Sequence, residues 1–486
     1  MRYCGFSEFF HDSGIAFITS EGDIEFAAHG ERYSGKKNDP ELPDVLMNMI
    51  KKDDHTSFYE DYALRIKYKS YSIDENDFNP LLMNYKNPHL QGSIVSDVYV
   101  PHHVSHAAGG FYTRPWESKD DTVILTIDGA GEYQSACIYD SNFNILHEEI
   151  WPKSIGQVYT YFTRALGFRP LEEEYIVMGL AAYGNPIVGK EIEDVYHNIF
   201  SQIVPEDKRK DSRKKLIASL FGITVDKGFR KEDIAASVQY FAEREIMVLA
   251  KLARQYGSKL VYSGGCAQNV VVNSMIKPLF DDMWIPVAPT DAGSSLGAAA
   301  YSYGKATGRD RINWQGPYLG YDIKHNLNPK EVVDHLLEHT YCGIANGRAE
   351  FGPRALGNRS LIADVRFDIK DTVNAIKRRQ EYRPFAPAIL EEFASQYFEG
   401  PMNEYMQYTA NALHDYKSVT HIDGTARVQI VKKDCKSVFR KVIEEYYERT
   451  GVPMLLNTSL NIRGMPIVNN EKGAADFEKR YNVKVF

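Results

Sequence analysis

Two stretches of this chain repeat one plan of strand, glycine turn and strand, and that repetition constrains the fold more than any other feature. The first runs over residues 1 to 33, with apolar segments Tyr3 to Phe6 and Gly14 to Thr19, the turn Glu21-Gly22-Asp23, and then Ile24 to Ala28. The second has the apolar run Thr122 to Ile127, the turn Asp128-Gly129-Ala130-Gly131-Glu132, and the segment Ser135 to Tyr139. Two such starts predict a duplicated α/β fold. Further on, Asp233 to Tyr256 places apolar residues at helical spacing, and the strand Lys259 to Tyr262 and the turn Ser263-Gly264-Gly265-Cys266 follow it. Another strand, Ile285 to Pro289, feeds a helix of small residues opening Asp291-Ala292-Gly293, which completes the pattern of an α/β nucleotide fold.

A chain of 486 residues exceeds what one core organises, so two or more domains are expected. The character changes at Asn326 to Lys330, where a helix from Pro329 to His339 leads into a strand from Cys342 to Asn346. This divides the chain into residues 1–325 and 326–486. Residues 51 to 92 and 189 to 231 are charged and lack the glycine-loop plan, and they read as insertions or caps able to line a substrate pocket. The net charge of -8 excludes a polyanion as the main partner, so no duplex nucleic acid is expected. No apolar run reaches membrane-spanning length and the start, Met1-Arg2-Tyr3-Cys4-Gly5, shows no leader pattern, so no membrane association and a cytoplasmic location are expected. The 5 cysteines contain no C-x-x-C pair and suit a reducing compartment.

Chemistry gathers around His102-His103-Val104-Ser105-His106. Asp97 to Val100 reads as a strand and Pro101 suits a first helical position, so His102 and His106 fall on one face of a helix like paired metal ligands. The spacing alone is weak, because 14 histidines in 486 residues give roughly 0.4 such pairs by chance. Asp128 and Asp291 strengthen it, each standing just beyond an apolar strand, where open α/β folds place functional side chains. This mixed nitrogen and oxygen set suits Fe(II) first, and also Mn(II) or Zn(II); aspartates that merely cap turns are the plainer alternative. Gly129, Gly131, Gly264, Gly265 and Gly293 follow strands and can bring backbone N–H groups close to phosphate or ribose, with simple tight turns as the alternative. His11, followed by Asp12 that could orient its ring, is placed as a general base for a hydroxyl, against the plainer reading of a structural loop histidine.

The second domain concentrates arginines. Arg348, Arg354 and Arg359 lie in the run from Gly347 to Arg359, Arg383 opens Arg383-Pro384-Phe385-Ala386-Pro387, and Arg427 closes Asp423-Gly424-Thr425-Ala426-Arg427. They sit beside Phe351, Leu356 and Phe385 rather than in a charge run, which fits a rigid phosphate cradle better than a solvated basic face.

These blocks resemble the O-carbamoyltransferases of the NodU/CmcH type, which act on nodulation factors, aminoglycosides, cephalosporins and ansamycins. The resemblance runs nearly end to end: His11-Asp12, Glu31 to Ser34 with Lys37, His102 to Ala108, Asp128-Gly129, Met178 to Gly184, Gly264 to Asn269, Asp291 to Gly293, Glu350 to Gly357, Arg383 to Pro387, and Asn457 to Asn461. It implies an N-terminal domain of the actin/sugar-kinase/Hsp70 type, similar to the threonylcarbamoyl-transfer subunit of tRNA modification, and a YrdC-like α/β C-terminal domain. The implied C-terminal site uses carbamoyl phosphate and ATP, with Mg(II) accompanying the ATP, to make carbamoyl adenylate. The implied N-terminal metal site, held by His102, His106, Asp128 and Asp291, passes the carbamoyl group to a hydroxyl with His11 as base. Lys37, Asn269 and Asn457 join the glycines and the five arginines as cofactor-binding residues. Ile176 stands where a lysine is common and Gln268 where a leucine is usual. The expected partner is a small-molecule hydroxyl acceptor, a natural-product sugar or a hydroxymethyl nucleotide, and the oligomeric state stays open. A tRNA threonylcarbamoyl-transfer protein shares the HxxxH and aspartate positions, but the arginine-rich second domain and the acidic charge stand against it. The third reading is a metal- and nucleotide-binding regulatory protein without catalysis.

Overall fold

The computed structural model of the chain describes residues 1–61, 64, 96–202, 204–205, 208–225 and 228–486. It falls into two compact units, one of residues 1–30 and 38–314, the other of residues 31–37 and 315–486.

In the first unit, strands β1 (Arg2–Ser7), β2 (Gly14–Thr19), β3 (Ile24–His29), β4 (Asp54–Phe58) and β5 (Val98–Tyr99) make a sheet of order β3-β2-β1-β4-β5. Strands β6 (Thr122–Ile127), β7 (Gln134–Tyr139), β8 (Ile145–Ile150), β9 (Lys259–Ser263) and β10 (Asp282–Trp284) make a second, of order β8-β7-β6-β9-β10. In the first sheet β1, β2 and β3 pair antiparallel, whereas β4 runs parallel to β1 and β5 parallel to β4. The second sheet repeats this strand for strand, with β6, β7 and β8 antiparallel, β9 parallel to β6 and β10 parallel to β9. The fold is therefore a true duplication, as the repeated plan of the sequence predicted.

The sheets are joined through two helices that carry the site. His102–Phe111 and Asp291–Thr307 touch backbone to backbone, because a Cβ at Gly297 would stand 1.8 Å from the carbonyl oxygen of Ser105. Any larger residue at 297 would push the helices apart and carry Asp291 away from His106. The long Lys231–Arg254 helix buries one face, including Ile234, Val238, Phe241 and Leu249, as its helical spacing predicts.

Three expectations change. Ile285 to Pro289 is not a strand; β10 ends at Trp284, and Pro286 and Pro289 have no N–H to give a ladder. Pro101 precedes the helix rather than opening it. The segment 51–92, read as an insertion, supplies β4, whose Thr56, Ser57 and Phe58 are buried against β1; its residues 62–63 and 65–92 lie outside the described residues. The other supposed cap, 189–231, forms the helices Gly189–Ile199 and Arg209–Val225.

The second unit is built on a five-stranded sheet in the order Tyr341–Ala345, Arg359–Ala363, Met454–Ser459, Ala386–Leu390, Gln429–Val431. Its pairs are antiparallel except the last, which is parallel. Neighbouring residues along each strand feed opposite faces: Leu361 and Leu456 enter one core with Phe385 and Met454, while Ile362 and Leu455 enter another with Val332, Phe439 and Tyr446. The helices Pro329–His339 and Phe439–Thr450 cover this second face. Residues 31–37 belong here too, tied down by Arg32 Nη2, which donates to the Gly352 carbonyl at 2.8 Å. No helix among the described residues is long and apolar enough to cross a membrane.

Candidate metal centre and anion site

The four residues read as metal ligands converge. His102 opens its helix, His106 follows one turn later, Asp128 terminates β6, and Asp291 opens the other helix. One ligand atom from each lies within 4.8 Å of all the others. Nε2 of His106 is 3.0 Å from Nε2 of His102, 3.1 Å from Oδ2 of Asp128 and 3.2 Å from Oδ1 of Asp291. Nε2 of His102 is 3.7 Å from the same Asp291 oxygen. Each element ends where its chemistry is needed, so residues distant in sequence meet without a long loop.

The electrostatics demand a positive charge at this point. Burial alone would lower the pKa of His102, but Asp291, Glu60 and Asp128 outweigh it and raise it to about 10. His106 is likewise raised against its burial by Asp128 and Asp291. Burial acts against both carboxylates, yet His106, His102 and the Gly265 N–H hold Asp128 far below the usual carboxylate range, and His102, His11 and His106 hold Asp291 low. His103, between the two, is driven down to about 3 by burial and by the charge of its neighbours, and stays neutral on the Thr126 hydroxyl at 2.8 Å. The donor set fits a divalent cation. Two imidazole nitrogens point at each other, which only a proton or a cation reconciles, and the buried Oδ2 of Asp291 has no hydrogen-bond partner. That oxygen faces Nε2 of His11 at 3.4 Å, so His11 reaches the centre through Asp291. Asp12 accepts a hydrogen bond from Thr290 at 3.2 Å.

The glycine loops are placed around the same carboxylates. Gly129 N and Gly265 N donate to the two oxygens of Asp128, at 2.5 and 2.7 Å. A Cβ at Gly131 would stand 2.8 Å from His103 and 3.1 Å from His102, so this glycine lets the β6–β7 turn lie against the histidines. Gly264 precedes the turn that presents Gly265, Gly293 lies in the first turn after Asp291, and Asn269 caps the Val270–Ile276 helix through Val272 N while exchanging hydrogen bonds with Gln239. Ile176 is fully buried.

In the second unit the five arginines divide. Arg359 is fully buried and donates from each guanidinium nitrogen to main-chain carbonyls, of Asn469, Asn346, Asn358 and Tyr321, at 2.7 to 3.1 Å. Arg348 donates to the carbonyls of Leu319 and Gly320. Arg427 is different: its buried Nε has no partner, and burial, Arg354 and Arg383 together push its pKa well down. Three guanidinium groups thus act on one place, an arrangement that suits an anion. Asn457 stands close by in the sheet; its Nδ2 donates to Gln429 and Ala355, and its buried Oδ1 has no partner. Lys37 pairs with Glu31 at 2.7 Å.

Two further residues in this unit escaped the sequence reading. Glu350 accepts from the backbone N–H groups of Leu356, Asn358 and Arg359, at 2.7 to 3.3 Å, and so shapes the loop that carries Arg354. Lys377 is buried with its ammonium on oxygens of Ser459 and Asn461, and burial, Arg379 and Arg383 push its pKa well down. The only cue was a Lys-Arg-Arg run, which reads equally as a solvated face.

The chain thus joins a duplicated α/β unit with a two-histidine, two-aspartate cluster able to hold a cation to an α/β unit with a cluster of three arginines suited to an anion. The model of the Carbamoyltransferase N-terminus matches residues 49–300, and that of the Carbamoyltransferase C-terminus matches residues 333–486. The chain belongs to the carbamoyltransferase family and is a transferase. It is 33% identical over 420 residues to Nodulation protein NolO of Bradyrhizobium diazoefficiens, covering 77% of this chain and 75% of that one. It is 29% identical over 527 residues to an uncharacterized protein of Methanocaldococcus jannaschii, covering 96% of each. Among solved structures, (R)-2-hydroxyglutaryl-CoA dehydratase component A of Acidaminococcus fermentans superposes with a TM-score of 0.37 at 15% identity, over 63% of this chain and 99% of that one.

Proposed function

We propose that this transferase is an ATP- and carbamoyl-phosphate-dependent O-carbamoyltransferase with a small-molecule hydroxyl acceptor. The observation that carries the reading is the convergence of His102, His106, Asp128 and Asp291, with His11 resting on the free oxygen of Asp291. The second unit supports it: water cleaves carbamoyl phosphate to carbamate and phosphate, the carbamate oxygen bonds to the α-phosphorus of ATP as its bond to pyrophosphate breaks, and both steps crowd anionic oxygens together. Arg354, Arg383 and Arg427 neutralise that charge, Arg348 and Arg359 hold the surrounding strands, and Asn457 offers a neutral polar contact. Lys37 adds a positive charge where its pairing with Glu31 allows.

At the N-terminal centre His102, His106, Asp128 and Asp291 hold the divalent metal, Fe(II) being the first choice for this donor set, and the ion when bound supplies Lewis-acid stabilisation of developing negative charge. His11 takes the proton of the acceptor hydroxyl at Nε2, and the imidazolium so formed is stabilised by the Asp291 carboxylate, 3.4 Å away. The acceptor oxygen bonds to the carbamoyl carbon, and the bond from that carbon to the adenylate phosphate oxygen breaks, releasing AMP. A sugar hydroxyl or a hydroxymethyl nucleotide serves as the acceptor class, in a cytoplasmic setting.

Incubation of the full chain with carbamoyl phosphate, ATP and a panel of such acceptors, following AMP and product mass, tests the reading. Acceptor-dependent AMP release with a mass gain of one carbamoyl group is expected. Absence of acceptor-dependent AMP across sugars and hydroxymethyl nucleotides would overturn it.

A further inference from the structure

The two histidines of the centre are supported unequally. Both turn Nε2 inward, and both turn Nδ1 outward to a protein oxygen, but the oxygens differ in kind. Nδ1 of His106 meets the hydroxyl of Ser294 at 3.0 Å. Nδ1 of His102, buried and without a hydrogen bond, faces Oε1 of Glu60 at 3.4 Å, and that carboxylate is 2% exposed. A buried carboxylate beside an imidazole that has lost contact with water needs a reason, since burying it costs several kcal/mol unless a charge or a donor compensates.

The neighbourhood of Glu60 is fastened rather than incidental. Glu132, itself fully buried, accepts from the backbone N–H of His102 at 2.8 Å and from that of Asp61 at 2.7 Å, so one oxygen ties the residue after Glu60 to the first residue of the helix. Ser105 donates to the carbonyl of Tyr59 at 3.0 Å, tying the residue before Glu60 to the same helix. The Tyr59 ring lies 5.6 Å from the His102 ring, centroid to centroid. Thus the short stretch from Tyr59 to Asp61, just beyond β4, is clamped on both sides of Glu60, and its side chain is directed at Nδ1 of His102.

We propose that Glu60 is a positioning residue for the metal centre: it accepts the Nδ1 proton of His102, fixes the tautomer that leaves the Nε2 lone pair free, and makes His102 the stronger donor of the pair. Glu132 holds Glu60 and the helix start in register. This rests on the reading of His102, His106, Asp128 and Asp291 as metal ligands. A carboxylate behind a ligating histidine increases the ring's basicity and restricts its rotation, and losing such a partner costs about 10- to 100-fold in metal affinity. A hydroxyl does the same more weakly, so Ser294 and Glu60 are not interchangeable.

Titration of the full-length metal-stripped protein with Co(II), followed by visible absorption, tests the assignment. The wild type is expected to bind one Co(II) with a defined ligand-field spectrum. Glu60→Gln is expected to weaken binding about 10- to 100-fold and to shift that spectrum, while Ser294→Ala weakens it less than about tenfold. Should the Gln variant fail to fold, Glu60→Asp, which keeps the charge but withdraws it from Nδ1, is expected to weaken Co(II) binding by about tenfold. Unaltered affinity and spectrum in whichever Glu60 variant folds, with the wild type binding normally, overturns the role of Glu60 and leaves the centre intact. Failure of the wild type to bind Co(II), with His106→Ala indistinguishable from it, overturns the metal reading itself and the proposal with it.

Discussion

The two sites settle buried charge in opposite ways. In the first unit the carboxylates of Asp128 and Asp291 lie against His102 and His106, and opposite charges cancel within about 3 Å. In the second, Arg354, Arg383 and Arg427 oppose one another, and Arg427 Nε has no partner. The difference teaches what each place lacks. Histidines can hold protons until a cation displaces them, so the first centre is balanced while it waits. An arginine keeps its proton under physiological conditions, so the second cannot shed its charge in that way and suits an incoming anion.

The largest effect is expected from Asp291→Asn, because Asp291 alone touches His102, His106 and His11. Acceptor carbamoylation should fall about 10³-fold or more, several kcal/mol of transition-state stabilisation, and bound metal should fall with it. Steady-state rates and metal content on the same samples check this; a variant with full metal and half its activity would break the comparison at its first term. Next, His11→Ala should reduce kcat about 10²-fold while leaving metal content unchanged, since His11 meets the centre only through the second oxygen of Asp291. Loss of metal in that variant would make His11 part of the cation site and not a base beside it.

The third prediction turns to the anion site. Arg427→Met should slow adenylate formation about 30- to 100-fold, the 2 to 3 kcal/mol of a charged hydrogen bond to phosphate. In the same variant, the ligand-free protein should melt higher, by about 1 kcal/mol of stability, because one of three like charges is gone. Thermal melts with and without pyrophosphate measure both. A variant that melts lower without ligand and is still stabilised by pyrophosphate as the wild type is would show that Arg427 is structural.

Much of this contrast was legible in the order of residues, and the reasons are local. The duplication showed because a meander with glycine turns writes its alternation into neighbouring residues, as in β1 to β3 and β6 to β7. The candidate ligand set showed because His102, Asp128 and Asp291 each stand at the end or start of an element and His106 follows His102 by one helical turn. β4 was hidden, since Asp54-His55-Thr56-Ser57-Phe58 is polar to the eye and becomes a core strand only by parallel pairing with β1, a partner far away in sequence. Ile285 to Pro289 deceived in the other direction: its apolar content suggested a strand that its prolines cannot donate to. Glu60 carried no motif at all. The arginines could be found but not sorted, because whether a guanidinium is scaffold or site depends on which carbonyls the fold brings to it, and the Asn469 carbonyl that occupies Arg359 comes from 110 residues away.

A buried acid outside both sites gives the smallest expected effect and the sharpest control. Glu8 is 2% exposed; one oxygen accepts the Leu42 N–H at 3.0 Å and the other has no hydrogen-bond partner. Burial, reinforced by Glu41 and Asp39 against that single N–H, pushes its pKa up to about 8. It therefore solves the problem of Arg427 by taking a proton, the route closed to an arginine. The sign follows: a carboxyl whose folded pKa lies above its unfolded value binds more protons in the folded state, so its contribution is full below about pH 4.5 and is lost as the pH rises through about 8. Across that window the protein should lose up to about 1.4 kcal/mol of stability per pH unit on account of Glu8. Glu8→Gln should remove that slope while retaining the acceptor for Leu42, and urea unfolding at several pH values between 5 and 8 measures it. Arg427→Met should leave the slope due to Glu8 unaltered, because the shift of Glu8 comes from its burial, Glu41 and Asp39 and not from the anion site. If the slope instead followed Arg427 and ignored Glu8, the distinction between a charge settled by a proton and one awaiting an anion would collapse.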